Sequence, residues 1–180
     1  MFVKICGITS PEQIDWAVEL GYSAVGIVLH EQSSRFCPPD LARKLALYAR
    51  GRISTIAVGV TFDEVAGSYH NVDLAQVYEP CGLDRVIYAG DSDRLARSGA
   101  LFLYDASSGS GEAGALPQWL HEVRERLIIS GGLRAETVPD IIRHYRPFGV
   151  DVSSGVETGR GVKDYRLMKQ FMTEVRNAVR

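Results

Sequence analysis

Short apolar runs rich in β-branched residues recur along this chain, separated by segments of helical period. No other feature constrains the fold as much. Eight runs qualify as strands: residues 2–6 (FVKIC), 24–29, 53–60, 74–78, 85–90, 100–106, 126–132 and 148–154. Strands that are apolar on both sides belong in a parallel sheet buried on both faces. Their alternation with helices is the pattern of βα units. Helices are predicted over residues 11–21, 40–50, 62–71, 91–99, 115–125, 135–145 and 163–179. Ser10 and Pro11 suit the start of the first helix, and Gly21 its stop. Eight units in series predict an α/β fold, a closed (β/α)8 TIM barrel. An open doubly wound sheet is the alternative, and the missing G-x-G-x-x-G after the first strand counts against it. A chain of 180 residues suits one barrel domain spanning residues 1–180.

One unit departs from the pattern. Only EPCGLD separates Tyr78 from Arg85, whereas a parallel crossover needs roughly a dozen residues or more, usually a helix. Helix 4 is therefore expected to be missing. A bare flank at residues 79–84 would expose apolar surface. Either dimerisation over that flank or a rearranged loop covering it is expected, which leaves monomer or homodimer open.

Composition narrows the partners. A net charge of -2 gives no reason to expect nucleic acid or an anionic membrane. No apolar run is long enough to span a bilayer, and the first residues lack a signal-peptide core, so a cytoplasmic location is expected. Cys6, Cys37 and Cys81 form no C-x-x-C pair, and the four histidines show no metal-ligand spacing. No metal is expected.

Active sites of such barrels lie at the C-terminal ends of the strands. That rim holds Cys6, His30 to Arg35, Asp105, Gly131 and Gly132, and Asp151 with Ser153, Ser154 and Gly155. Glycine turns bring backbone N–H groups close to phosphate oxygens, and serine hydroxyls add donors. ISGGL and DVSSG, after the seventh and eighth strands, together read as a phosphate cradle; either alone reads as a turn. Cys6 alone reads as a small buried hydrophobe and Asp105 alone as a cap. Facing each other across a barrel mouth they form a base–acid pair. Arg35 has the planar fork that binds a carboxylate, or is a solvated loop residue. Tyr78, Glu79 and His30 also lie at rim positions, where loop or lining roles fit equally well.

KICGIT, the SSR at 33–35, ALFLYDA, IISGGL and above all GVDVSSGVE followed by G-x-KD at 161–164 resemble the phosphoribosylanthranilate isomerase family, from residue 2 to the final helix. The resemblance implies a (β/α)8 enzyme of tryptophan biosynthesis whose substrate is a small phosphorylated aminosugar. It performs an Amadori rearrangement of an aminoaldose to an aminoketose. Asp105 would be the general acid that opens the ribose ring. Cys6 would be the general base that removes the C2' proton. Arg35 would hold the anthranilate carboxylate. Gly131, Gly132, Ser153, Ser154 and Gly155 would hold the phosphate, and Asp151 would face the ribose. No cofactor is implied, because the iminium nitrogen of the substrate is the electron sink.

Three stretches depart from the family pattern. QVYEP (76–80) stands where a Q-L-H-G-like motif is usual, so Tyr78 replaces a histidine. SSGSGEAG (107–114) replaces a G-G-T-G-like loop, and LHEQ (29–32) replaces an aromatic, proline-rich turn. Three readings stay open: a working isomerase on a trimmed scaffold, a paralogue acting on another phosphorylated sugar, and a non-catalytic phosphate-sugar binder. Lys4 shares a strand face with Cys6 and is placed to point into the barrel with it.

Overall fold

The computed structural model describes every residue except Leu83, Gly99 and residues 106–115. Eight parallel strands close into a barrel in chain order. They are β1 (Phe2–Cys6), β2 (Ala24–Val28), β3 (Ser54–Val58), β4 (Leu74–Val77), β5 (Val86–Gly90), β6 (Leu101–Asp105), β7 (Leu127–Ser130) and β8 (Gly149–Val152). The seam closes between β1 and β8, where Lys4 pairs in register with Asp151 and Ile5 with Val152.

Among the described residues six α-helices cover the strands: α1 (Pro11–Leu20), α2 (Pro39–Ala49), α3 (Phe62–Ala66), α4 (Asp93–Ala96), α5 (Val138–Tyr145) and α6 (Tyr165–Val179). Local chemistry sets their ends. Ser10 caps α1 by accepting from the Gln13 N–H at 3.4 Å, and Asp164 caps α6 by accepting from Leu167 N–H at 2.9 Å. Pro139 sits in the first turn of α5, where its missing N–H costs nothing.

The strand period of two divides the core into two layers. Side chains pointing outward, such as Ile5, Val25, Ala75, Val77 and Tyr104, meet the helices. Those pointing inward, such as Val28, Ile56, Ile87, Leu103 and Ile128, fill the barrel.

The connection from β4 to β5 contains no helix among the described residues. The loop folds back on the barrel. The Tyr88 hydroxyl accepts from the backbone N–H groups of Cys81 and Gly82, both at 3.3 Å, and Cys81 packs on the outer core layer. Ala75, Val77, Val86 and Tyr88 are all buried. Of the two expected outcomes for this flank, the structure shows the covering loop.

Three segments differ from expectation. The helix expected over 62–71 stops at Gly67 and resumes as a 3-10 turn at Tyr69–Asn71. Gln118–Arg126 winds as a 3-10 rather than an α-helix. Its far end is drawn aside by tertiary partners: the Arg124 carbonyl accepts from Phe148 N–H at 2.8 Å, and the Arg126 guanidinium donates to the Ala96 carbonyl at 3.0 Å. Past β8, an unanticipated 3-10 turn (Ser154–Val156) leads into an antiparallel hairpin, β9 (Glu157–Gly159) and β10 (Val162–Lys163). The glycine-rich stretch 107–114 lies outside the described residues. None of the described helices is long and apolar enough to cross a membrane.

Candidate active site

A cavity of about 910 Å³ opens at the C-terminal ends of the strands. Its lining includes Cys6, Arg35, Asp105, Gly131, Gly132, Asp151, Ser153 and Ser154. The barrel thus gathers residues from five separate parts of the chain into one space. Gly155 is not in that lining; it serves packing. A Cβ there would overlap the Leu133 carbonyl oxygen, so only glycine lets the turns after β7 and β8 meet. Gly131 and Gly132 both take left-handed backbone angles, φ 93° and 67°, which turn the chain sharply at the end of β7.

Cys6 ends β1 and is partly exposed to the cavity. Lys4 lies two residues earlier on the same face. A Cβ built on Gly26 of β2 would meet Cys6 Sγ at 3.0 Å and Lys4 Nζ at 3.2 Å. Thiol and ammonium are therefore neighbours over a strand that carries no side chain there. Lys4 Nζ donates to Asp151 Oδ1 at 3.0 Å, and Ser130 Oγ donates to Asp151 Oδ2 at 3.1 Å. Burial disfavours the Lys4 charge, but Asp151 and Cys6 outweigh it and raise its pKa. Burial also pushes the Cys6 thiol up, against the pull of Lys4.

A second ionic group sits beside the first. Arg35 grips Glu157 with two bonds, Nε to Oε1 at 2.8 Å and Nη2 to Oε2 at 2.7 Å. Lys163 Nζ, fully buried, donates to the same Glu157 Oε1 at 2.6 Å. It also reaches the Ser153 carbonyl and hydroxyl, both at 3.2 Å. Ser153 Oγ in turn donates to the Cys6 carbonyl at 3.0 Å. The fork of Arg35 is thus already half engaged, and the Ser153 hydroxyl ties β8 to β1. Burial opposes the Glu157 charge, yet Arg35 and Lys163 prevail and hold its pKa below the ordinary value.

Across the mouth, Asp105 ends β6, and the Tyr78 hydroxyl stands 3.5 Å from its Oδ2. Burial, then Asp105, raise the phenol well above its ordinary range, so Tyr78 stays protonated and acts as a donor. His30, which also lines the cavity, has its Nδ1 2.9 Å from Glu64 Oε1. Among the described residues no three His, Cys, Asp or Glu side chains gather as a metal site would need.

Glu157 and Lys163 were not singled out from sequence, although both lie inside the GVDVSSGVE and G-x-KD motifs. The hairpin that brings them together has no strong strand signal, so their pairing was hidden. A charged residue in each of two short motifs six residues apart was the only hint.

Residues 84–174 match the family model described as N-(5'phosphoribosyl)anthranilate (PRA) isomerase. An N-(5'-phosphoribosyl)anthranilate isomerase of Ralstonia nicotianae is 34% identical over 98% of this chain and 93% of its own length. The crystal structure of phosphoribosyl anthranilate isomerase from Thermotoga maritima superposes with a TM-score of 0.82 at 32% identity, covering 98% of this chain and 99% of that one. A phosphoribosyl anthranilate isomerase structure in complex with reduced 1-(o-carboxyphenylamino)-1-deoxyribulose 5-phosphate superposes with a TM-score of 0.78 at 32% identity, again covering 98% and 99%.

Proposed function

The chain belongs to the N-(5'-phosphoribosyl)anthranilate isomerase family, and from that premise we propose how its residues divide the work. The protein is an isomerase of tryptophan biosynthesis. It converts N-(5'-phosphoribosyl)anthranilate to 1-(2-carboxyphenylamino)-1-deoxyribulose 5-phosphate by an Amadori rearrangement.

Asp105 gives its proton to the furanose ring oxygen as the C1'–O bond breaks, leaving a protonated Schiff base. Cys6 then takes the C2' proton, and the electron pair moves into the iminium. The resulting enolamine tautomerises to the aminoketose. The Tyr78 hydroxyl, facing Asp105 Oδ2, donates to the carboxylate left after the first proton transfer. The turns after β7 and β8, with Gly131, Gly132, Ser153 and Ser154, take the phosphate on backbone N–H groups, and Ser154 adds its hydroxyl, since that of Ser153 is given to the Cys6 carbonyl. Gly155 contributes by letting those turns meet. Asp151 faces the ribose while Lys4 and Ser130 hold it in place. Arg35 uses its Nη1 side for the anthranilate carboxylate, since Glu157 occupies the Nε–Nη2 edge. The proposed setting is the cytoplasm.

One observation carries this reading. Cys6 and Asp105 face a single cavity from β1 and β6, with the glycine- and serine-rich turns at its edge. The test is a fluorescence assay on phosphoribosylanthranilate generated in place. Losing a general acid or base costs about 10²–10⁴-fold in kcat. Cys6→Ser and Asp105→Asn are each expected to fall in that range while still binding the product analogue. Retention of wild-type kcat by either variant would remove that residue from its role.

A further inference from the structure

The described charged side chains around Cys6 do not cancel. Lys4 from β1 and Asp151 from β8 form one buried pair. Lys163 from β10 and Arg35 from the loop after β2 share a single carboxylate, Glu157 of β9. The Tyr78 phenol, just after β4, faces the same space and is uncharged at neutral pH. Among these five groups three cations stand against two carboxylates; Asp105 faces the same cavity from across the mouth, where the proposed mechanism has it hold a proton. A surplus charge in a buried site is unfavourable, and the thiol of Cys6 is the nearest group that becomes an anion by losing a proton.

Lys163 is where the surplus arises: burial lowers its pKa, and Glu157 works against that to keep the ammonium charged. Lys4 has Asp151 to itself, whereas Lys163 must share Glu157 with the bidentate Arg35. Its remaining bonds go to neutral atoms, the carbonyl and hydroxyl of Ser153. That hydroxyl holds the Cys6 carbonyl. We propose that Lys163 is a positioning residue for the base: it supplies the unbalanced positive charge that draws Cys6 toward thiolate, and through Ser153 it fixes the end of β1 that carries the thiol. The proposal rests on the reading of Cys6 as base. It gives that reading its driving force, because burial alone pushes the thiol away from ionisation.

The experiment is alkylation of Cys6 by iodoacetamide as a function of pH. It is read on the Cys6 peptide by mass spectrometry, so that Cys37 and Cys81 do not interfere. Lys163→Met is expected to raise the alkylation midpoint by about one pH unit, a roughly tenfold loss of thiolate below the midpoint. Lys163→Gln, which keeps hydrogen bonds and loses only the charge, is expected to do the same should the methionine variant not fold. Lys163→Arg is expected to stay near wild type. The kcat at neutral pH should fall about tenfold in the two uncharged variants with KM changed less than about twofold. An alkylation midpoint unmoved in both uncharged variants would overturn the proposal and leave Lys163 a strut of the hairpin. Wild-type activity in Cys6→Ser would instead remove the base role, a separate failure that the alkylation curve does not share.

Discussion

Lys4 is fully buried, and its ammonium is kept charged by an equally enclosed carboxylate 3.0 Å away. Removing one member of such a pair leaves the other unbalanced, at a cost of about 3–5 kcal/mol. Lys4→Met is expected to destabilise the protein by that much in urea denaturation, whereas the double change Lys4→Met with Asp151→Leu recovers most of it. No recovery in the double variant would show that the site depends on something other than charge balance. Sequence put Cys6, Asp105, Gly131, Gly132, Ser153 and Ser154 at strand ends, where they line the cavity, because strand ends are visible in hydrophobic period alone. It did not reach Glu157 or the reach of Lys163 back to Ser153. Those contacts depend on how a short hairpin folds over the mouth, and no periodicity encodes that.

At the scale of elements, the missing fourth helix was legible from one count, the six residues between Tyr78 and Arg85. How the flank is covered was not legible, because it rests on the Tyr88 phenol and on Cys81 packing against the outer core layer. Tyr88 points its hydroxyl at two backbone N–H groups of the replacement loop. Tyr88→Phe leaves both donors without that partner, so a loss of about 1–3 kcal/mol is expected. Amide exchange should speed up at Cys81 and Gly82 in particular. Unchanged exchange at those two amides would mean that the loop is held by its apolar contacts instead. The 3-10 winding of Gln118–Arg126 was equally hidden. Its residues have ordinary helical character, and only bonds from distant strands and helices pull its end out of α geometry.

For the whole molecule, acid is the condition to which the ionic site responds. Arg35 and Lys163 hold Glu157 below its ordinary value of 4.5. A carboxyl depressed in the folded state contributes stability that is fully present above its unfolded value and lost as pH falls through the folded one. Urea stability of the wild type is therefore expected to decline below about pH 4.5. Glu157→Gln, weaker at pH 6, should decline less steeply over the same interval. A wild-type curve no steeper than that of the variant would show that Glu157 is not the group responding.

The barrel seam has a consequence for how the protein comes into being. Lys4 and Cys6 leave the ribosome well before their partners Asp151 and Ser153, which follow 147 residues later. Every partial barrel lacks the salt bridge, the β1–β8 tie and the turn after β8. Contacts so distant along the chain form late, because the loop they close is nearly the whole protein. Helical signal is expected to return early in refolding, with enzyme turnover waiting for the last stave. The isomerase reaction is thus a built-in indicator that the ring has shut, and a nascent chain is inert until its final strand has been made.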